Sequence, residues 1–202
     1  MFLKEKCPKC WIIIEWLNGL LFRIIYSKRF SKNIHKILNK FSSNSFHCRI
    51  LNNNDIVELS NFLNAFDQSE VKTFEPHDFD TKTLRRINKN PSFYMFGVFE
   101  KKVLIGYFFL RCFLNRKAFM GRIVAITHRN KGIAKKMAQI LHQIAWQSKF
   151  RIFSTIDPEN IASLKSQSAV CNYNVLRTVS NGYFLIEYEQ KNAKQESNFL
   201  NN

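Results

Sequence analysis

Three apolar, strand-type segments follow one another directly before the longest amphipathic helix of the chain. Phe-rich segments at 93–99 and 103–113 flank Glu100-Lys101-Lys102, a polar turn of hairpin length, and a third strand is predicted near 117–126. A helix with one apolar face is predicted over 132–147. A doubly wound sheet alternates strands with helices, so three consecutive strands exclude it. They favour a mixed α/β fold of the α+β type.

The remaining pattern completes one domain with an appendage at each end. Periodicity and turn residues predict a strand at 46–51, helices at 55–66 and 81–89, a strand at 150–156, a helix at 159–168, and strands at 173–178 and 182–189. The chain of 202 residues therefore divides into a basic, apolar N-terminal segment (1–45), an α/β domain (46–190) and a polar tail (191–202).

The most informative motif lies between the third strand and the long helix. The strand is expected to end near Ile126 and the helix to begin near Gly132, with Arg129-Asn130-Lys131 between them. Backbone N–H groups in the first turn of a helix lack intrahelical partners and carry the positive end of the helix dipole. They suit a pyrophosphate, and a glycine lets the backbone approach it without a Cβ. The motif predicts a phosphate-binding turn.

This stretch resembles the GNAT superfamily of acyl-CoA-dependent N-acyltransferases. The family signature is R/Q-x-x-G-x-G/A between a strand and a long helix, and Arg129, Gly132 and Ala134 match it. GNATs also carry N-x-x-S/A at the start of the next helix, where Asn160 and Ser163 stand. The resemblance covers 46–190. It implies a central mixed sheet flanked by helices, acetyl-CoA as acyl donor, and no metal.

The resemblance also assigns the cofactor contacts. The backbone at the end of the third strand would hold the pantetheine arm and the acetyl carbonyl, the glycine turn would hold the pyrophosphate, and Asn160 would face the pantetheine. The implied cofactor-binding residues are Val124, Ile126, Arg129, Asn130, Lys131, Gly132, Ile133, Ala134, Asn160 and Ser163.

One departure from the family pattern concerns the general acid. Many GNATs have a tyrosine seven residues after the asparagine, which protonates the departing thiolate, and this chain has Gln167 there. Ser166, Ser168 or water remain as donors, so the sequence assigns no acid.

The general base is also left between alternatives. The acceptor amine must lose a proton, and His77 lies in the loop between the first two helices, on the acceptor side in GNATs. Glu75 and Asp80 are neighbouring candidates, and a histidine that only caps a turn explains His77 equally well. His128, beside the phosphate-binding turn, is interpreted as structural.

The N-terminal segment carries an apolar run from Trp11 to Tyr26 that is interrupted by Glu15 and Arg23. A membrane-spanning helix needs about 20 mainly apolar residues, so this run is short. Three interpretations stay open: a helix on an anionic membrane surface, a helix packed on its own domain or on a second subunit, and a signal anchor. A cleaved signal peptide is disfavoured by Glu15 and the lack of a small-residue cleavage site. Removing residues 1–42 is expected to give a soluble domain that still binds acetyl-CoA.

The formal net charge of +16, from 31 Lys and Arg and 15 Asp and Glu, implies an anionic partner. Within residues 1–45, Glu5 and Glu15 are the only acidic residues among many basic ones. This local excess of positive charge favours binding of the segment to a membrane surface. Nucleic-acid binding is disfavoured because the chain shows no groove-reading or base-stacking motif.

Five scattered cysteines do not suggest a disulfide framework, so a reducing cytoplasm is expected, with the protein at the inner face of the membrane. Cys7 and Cys10 form a lone CxxC pair, which supplies too few ligands to predict a zinc site.

The predicted function is transfer of acetyl from acetyl-CoA to a primary amine. The Phe74–His77 loop, together with residues 107–111, looks similar to small GNATs of bacterial surface-polysaccharide clusters, which suggests an amino-sugar acceptor. The alternative is a catalytically silent GNAT-like module that binds CoA or docks on a membrane.

Overall fold

A computed structural model of the protein describes residues 8–41, 46–67, 74, 76–180 and 182–191, with side chains from residue 13 onward. The helices and strands in chain order are α1 (Pro8–Ile25), α2 (Ser27–Phe41), β1 (His47–Ile50), α3 (Ile56–Asn64), α4 (Thr81–Asn88), β2 (Phe93–Glu100), β3 (Val103–Cys112), β4 (Lys117–Val124), α5 (Ile133–Gln147), β5 (Arg151–Ile156), α6 (Ile161–Ser168), β6 (Asn172–Thr178) and β7 (Phe184–Glu189).

The strands form one seven-stranded sheet in the order β1-β2-β3-β4-β5-β7-β6. Every described neighbouring pair is antiparallel except β4 and β5, which run parallel because α5 connects them. The mixed α/β fold predicted from three consecutive strands is therefore confirmed. The third of these strands ends at Val124 rather than near 126, since Ile126–His128 form a short 3₁₀ helix.

β4 and β5 are paired over only three residues of each strand. Lys117, Ala118 and Phe119 face Arg151, Ile152 and Phe153 in the register, and beyond them the two strands part. We call this opening the fork. On either side of it, β3 and β7 complete the hydrogen bonding of β4 and β5, so the sheet stays continuous while its centre opens.

Each face of the sheet has its own hydrophobic core. The core on one face packs beneath α2 and α5, and the core on the other face packs beneath α3 and α4. The larger core includes Phe96, Phe108, Leu110, Met137, Ile140, Leu141, Ile144 and Ile152, and the smaller includes Leu59, Leu63, Leu84, Met95, Tyr107 and Phe109.

Helix α2 belongs to the larger core. Phe30, Ile34, Ile37 and Leu38 recur at helical spacing on one face and are all buried. The Phe30 ring stacks on Tyr94 with ring centroids 5.4 Å apart. Removing residues 1–42 would expose this core, contrary to the expectation from the sequence.

Helix α1 packs on the domain through a side that carries two polar residues, Glu15 and Asn18, and the fully buried Phe22. The Asn18 amide donates hydrogen bonds to Ser92 Oγ at 2.9 Å and to the Cys112 carbonyl at 3.0 Å, and Glu15 pairs with Arg111 at 2.5 Å. Gly19 permits the close approach, because a Cβ there would lie 2.5 Å from Asn90 Oδ1. Of the sequence interpretations, packing on its own domain is thus realised, through Glu15, Asn18 and Phe22.

The opposite side of α1 is apolar and exposed. We call it the apolar face of α1. It consists of Ile13, Ile14, Trp16, Leu17, Leu20, Leu21, Ile24 and Ile25, whose exposed fractions run from 42% at Leu20 to 74% at Ile24. Among the described residues, no helix combines the length and the apolar character that crossing a bilayer requires.

His142 is a buried titratable side chain of the larger core. Neither ring nitrogen has a hydrogen-bond partner among the described residues. Burial, followed by the positive charge of Arg122, lowers the pKa of His142 from 6.5 to about 3. The ring is therefore neutral in the folded protein at neutral pH.

We expect the stability of the fold to fall in acid partly through His142. Its folded-state pKa is depressed, so its contribution is complete above pH 6.5 and is lost as the pH falls from 6.5 toward about 3. The limiting slope is about 1.4 kcal/mol per pH unit. His142→Leu should flatten the decline of the free energy of unfolding between pH 6.5 and 4, measured by urea titration. His35→Leu, at an exposed position of α2, is the control and should keep the wild-type slope. Equal slopes in wild type and His142→Leu would contradict this origin.

Candidate active site

A groove of about 490 Å³ runs from the start of α5 along the end of β4 to α6. At its inner end it meets a smaller cavity of about 80 Å³ inside the fork. Phe74, Arg122, Asn160 and Ser163 line both spaces, so the groove and the fork form one continuous site.

The outer end of the groove is the N-terminus of α5. Gly132 occupies the cap position in the left-handed region, with φ of 74°, and no side chain caps the helix. A Cβ added at Gly132 would meet no protein atom within 4 Å, so the space before the first turn is open. The unpaired N–H groups of that turn therefore face room for a ligand, and phosphate is the group that such a terminus favours.

Most of the cofactor residues predicted from the resemblance come together here. The groove is lined by Val124, Arg129, Asn130, Gly132, Ile133, Ala134, Asn160 and Ser163. Ile126 and Lys131 are exposed and are not among the lining residues. Asn160 also caps α6, since its Oδ1 accepts the Ser163 N–H at 3.0 Å.

Arg122 is a residue of this site that the sequence analysis missed. It lies on β4 and lines both the groove and the fork. Burial lowers its pKa, and Tyr188 and Cys171 oppose that shift. Alternation along β4 places Arg122 on the same face as the buried Met120 and Val124. A charged residue at an inward-facing position of a strand was the sequence feature that could have identified Arg122 as a site residue.

A polar cluster lies beside Arg122. Ser154 Oγ, which lines the fork, shares a hydrogen bond of 2.5 Å with the Tyr188 hydroxyl. Burial raises the pKa of Tyr188 to about 12, so that hydroxyl is a weak acid. Gln167 is buried at the fork with its Oε1 unpartnered among the described residues. Its carboxamide carries no ionisable proton.

The two serines considered as donors differ in their surroundings. The Ser166 hydroxyl is buried, without a hydrogen-bond partner in the described part of the chain, and Ser166 lines the groove. The Ser168 hydroxyl donates to the Leu164 carbonyl at 3.0 Å on an exposed side of α6. Of the two, only Ser166 lies at the site.

Comparison with known proteins identifies the architecture. No family model and no curated protein matches the sequence. Among solved structures, an aminoglycoside acetyltransferase, AAC(6')-Ib, in complex with paromomycin and acetyl-CoA superposes with a TM-score of 0.59 at 14% identity, covering 76% of this chain and 98% of the other. The spermidine N-acetyltransferase of Vibrio cholerae, with CoA and spermine, gives 0.58 at 17% identity, covering 72% and 94%. The GNAT domain of S. lividans PAT gives 0.59 at 15%, covering 69% and 88%.

The chain has the GNAT fold. The expected central mixed sheet flanked by helices is confirmed by these superpositions and by the topology of the seven strands. The aminoglycoside acetyltransferase was solved with acetyl-CoA, and the spermidine N-acetyltransferase with CoA. At identities of 14% to 17%, these superpositions establish the fold of this chain.

His77, the predicted base, packs among aromatic side chains outside the groove. Its Nδ1 is 2.9 Å from the Asp78 carbonyl, which only accepts, so Nδ1 carries the proton in the neutral ring. Its Nε2 lies 3.1 Å from the Tyr107 hydroxyl. His77 is not among the groove-lining residues, but it contacts Tyr107 and Phe109, and Tyr107 contacts Phe74 at the groove.

The other candidate bases are distributed differently. Asp80 caps α4, and hydrogen bonds from Thr83 lower the pKa of its carboxyl. Glu75 lies outside the described residues. His128, interpreted from the sequence as structural, lines the groove and pairs with Glu100 at 3.3 Å.

No cluster of metal-ligating side chains occurs among the described residues. Cys48, Cys112 and Cys171 are separate buried thiols. Cys7 lies outside the described residues, as does the side chain of Cys10, so the CxxC motif is not part of the described site.

Proposed function

We propose that the protein is an acyl-CoA-dependent N-acetyltransferase that transfers acetyl from acetyl-CoA to a primary amine. The observation that carries the proposal is the continuous groove from the uncapped N-terminus of α5 into the fork. A diphosphate suits the helix terminus, and an extended, amide-bearing arm suits a gap between parted strands.

The parted strands explain why an extended arm suits the fork. Beyond Phe119 and Phe153, β4 and β5 no longer pair with each other, so their facing N–H and C=O groups need other partners. The amides of a pantetheine arm offer both donors and acceptors. In this arrangement the backbone at Val124 would hold the arm, and the thioester would reach the inner end of the site.

The chemistry needs neither a metal nor a covalent enzyme intermediate. A neutral amine attacks the thioester carbon, a base accepts the proton that the amine loses, and the C–S bond breaks. His77 is the proposed base, and it would act after its Nε2 leaves the Tyr107 hydroxyl. Glu75 remains the neighbouring alternative.

The proposed acceptor is an amino sugar of bacterial surface-polysaccharide biosynthesis, linked to a nucleotide or a lipid. Its support is the likeness of the Phe74–His77 loop and residues 107–111 to small GNATs of such clusters. Two of the acetyltransferases with which this chain superposes were solved with small amines, paromomycin and spermine.

Gly132→Glu should abolish acetyl-CoA binding. The side chain would project into open space at the helix terminus and place a negative charge where the pyrophosphate is proposed to sit. Binding is measured by calorimetry, and the fold by circular dichroism.

Gly182→Glu is the matched control, because Gly182 also has a positive φ, of 82°, and open space around its Cβ position. It carries the same backbone strain away from the groove and should bind normally. Equal affinity of Gly132→Glu and wild type would refute the site. Binding without turnover of any amine in a panel of amino-sugar nucleotides and polyamines would favour the catalytically silent module.

His77→Ala should lower kcat by about 10²-fold or more if His77 is the general base. Acetyl-CoA affinity should not change, because His77 does not line the groove. Tyr107→Phe is the companion variant: it removes the hydroxyl near Nε2 and keeps the ring, so it should retain most of the turnover. A wild-type rate for His77→Ala from pH 6 to 9 would leave His77 as a loop-stabilising residue.

We further propose that the apolar face of α1 lies on an anionic membrane surface at the cytoplasmic side. Glu15 and Asn18 of α1 contact the domain, whereas the side chains of the apolar face of α1 are exposed. A surface helix of a globular protein normally has the opposite arrangement, with its apolar face on the core and its polar face in water. Exposed basic residues adjoin this face, which suits acidic lipid headgroups. They are Arg23, Lys28, Arg29, Lys32 and Lys36.

Ile24→Asp with Trp16→Asp should abolish sedimentation with anionic vesicles, since both side chains are exposed and leave the core intact. Val57→Asp, at a half-exposed apolar position of α3, is the control and should bind like wild type. Each basic residue adds up to about 1 kcal/mol, so salt should weaken wild-type binding partly. A wild-type dimer in ultracentrifugation that the double variant disrupts, without vesicle binding, would instead assign the face to a second copy.

A further inference from the structure

Arg122 is a cation in the fork for which the described part of the chain supplies no partner. Its guanidinium has no hydrogen bond and no ion pair among the described residues, although it lies only partly exposed within the sheet. Three other arginines on the described strands show the contrast: Arg49 pairs with Asp55 at 2.7 Å, Arg111 with Glu15 at 2.5 Å, and Arg151 with Glu187 at 2.5 Å. A fourth, Arg177 on β6, is exposed to water. An unpaired cation in such a place costs stability, and proteins keep such features mainly at functional sites.

The groups around Arg122 do not neutralise it. Tyr188 and Cys171 are buried with raised pKa values, so both are uncharged at neutral pH, and His142 is neutral as well. Asp157 also lines the fork cavity, but no ion pair joins it to Arg122, and its Oδ1 accepts the Glu159 N–H at 3.0 Å. Among the described residues, the Arg122 guanidinium therefore faces the fork without an ion pair of its own.

The geometry of the site indicates which part of the ligand meets Arg122. If the phosphates occupy the start of α5, the reactive end of an acyl-CoA lies at the opposite end of the groove, in the fork. Acyl transfer from a thioester develops negative charge at that end, first on the carbonyl oxygen as the amine adds and then on the departing thiolate. The nearby Gln167 cannot protonate it, and Tyr188 is buried behind Ser154.

We propose that Arg122 is a catalytic residue whose guanidinium donates a hydrogen bond to the sulfur of the departing CoA thiolate. The proposal rests on the acyl-CoA-dependent function proposed above. Arg122 on β4 would thus stabilise the departing thiolate, which in many GNATs is protonated by a tyrosine at the position that Gln167 occupies on α6. Stabilisation of charge by a fixed donor in a partly dry site is an effective form of catalysis.

The step balances without an acid. The C–N bond forms as the amine attacks, the base takes the proton that the amine loses, and the C–S bond breaks with its electron pair going to sulfur. Arg122 keeps its protons throughout, because a guanidinium is not deprotonated in proteins. The thiolate leaves as the anion and takes a proton from water afterwards.

The direct test is the titration of the CoA thiol bound to the protein, followed by the ultraviolet absorbance of the thiolate. In the wild-type complex the thiol pKa should fall by at least about 1 unit below that of free CoA, as expected for a group near an opposite charge. Arg122→Met should remove the shift, and Arg122→Lys should restore part of it. Arg177→Met, at an exposed position on β6, is the matched control and should keep the full shift.

Turnover gives a second readout. Arg122→Met should lower kcat by about 10²-fold while the KM for acetyl-CoA changes little, which is the pattern for a group that acts in the transition state. Its melting temperature should equal or exceed that of wild type, because an unpaired cation is removed. A less stable Arg122→Met would mark the residue as structural and overturn the proposal.

The remaining outcomes separate this proposal from its alternatives. CoA binding without a lowered thiol pKa in wild type would refute the role of Arg122 and leave the proposed function standing, whereas no CoA binding would refute that function first. A loss of kcat in Tyr188→Phe but not in Arg122→Met would assign the proton to Tyr188 through Ser154. A wild-type preference for acyl groups ending in a carboxylate, lost in Arg122→Met, would assign the guanidinium to the acyl group instead.

Discussion

β4 and β5 share hydrogen bonds over only three residues each, and the candidate site exists because those bonds stop. A parallel pair at the centre of a sheet would normally continue to the ends of its strands. Here the strands diverge, and their outer edges stay paired with β3 and β7, so the gap opens without loosening the sheet. The separation exposes backbone groups for an extended ligand and makes room for Arg122. It also directs the N-terminus of α5 toward the same space.

The two N-terminal helices solve different packing problems. α2 completes the larger core with a conventional amphipathic face, so the sheet depends on it. α1 is held by Glu15, Asn18 and Phe22, and its remaining apolar side chains have no protein to cover them. Because Glu15 pairs with Arg111 on β3, a strand next to the fork-forming β4, α1 is attached to the sheet beside the fork. A membrane surface bound to the apolar face of α1 would thus lie at a defined distance from the groove.

Sequence reasoning succeeded where local pattern decides local structure. The hairpin of β2 and β3, the strand before Gly132 and the long helix after it each have their own periodicity and turn residues. The glycine turn at the start of α5 was also foreseeable, because a strand end, a glycine and the start of a helical pattern occupy adjacent positions. The core role of α2 was missed because its basic residues drew attention to a surface function. Phe30, Ile34 and Ile37 had the helical spacing that indicates burial.

By itself, the sequence determined the order of strands and helices, the exclusion of a doubly wound sheet and the position of Gly132 before α5. These follow from short-range periodicity and backbone preference. Only the tertiary structure decided where β4 leaves β5, which side of α1 faces the domain, and that Arg122 stands unpaired beside Gln167 at the fork. Each of these depends on residues far apart in the chain, such as Asn18 with Cys112 or Ala118 with Ile152, whose contacts form only when the sheet closes.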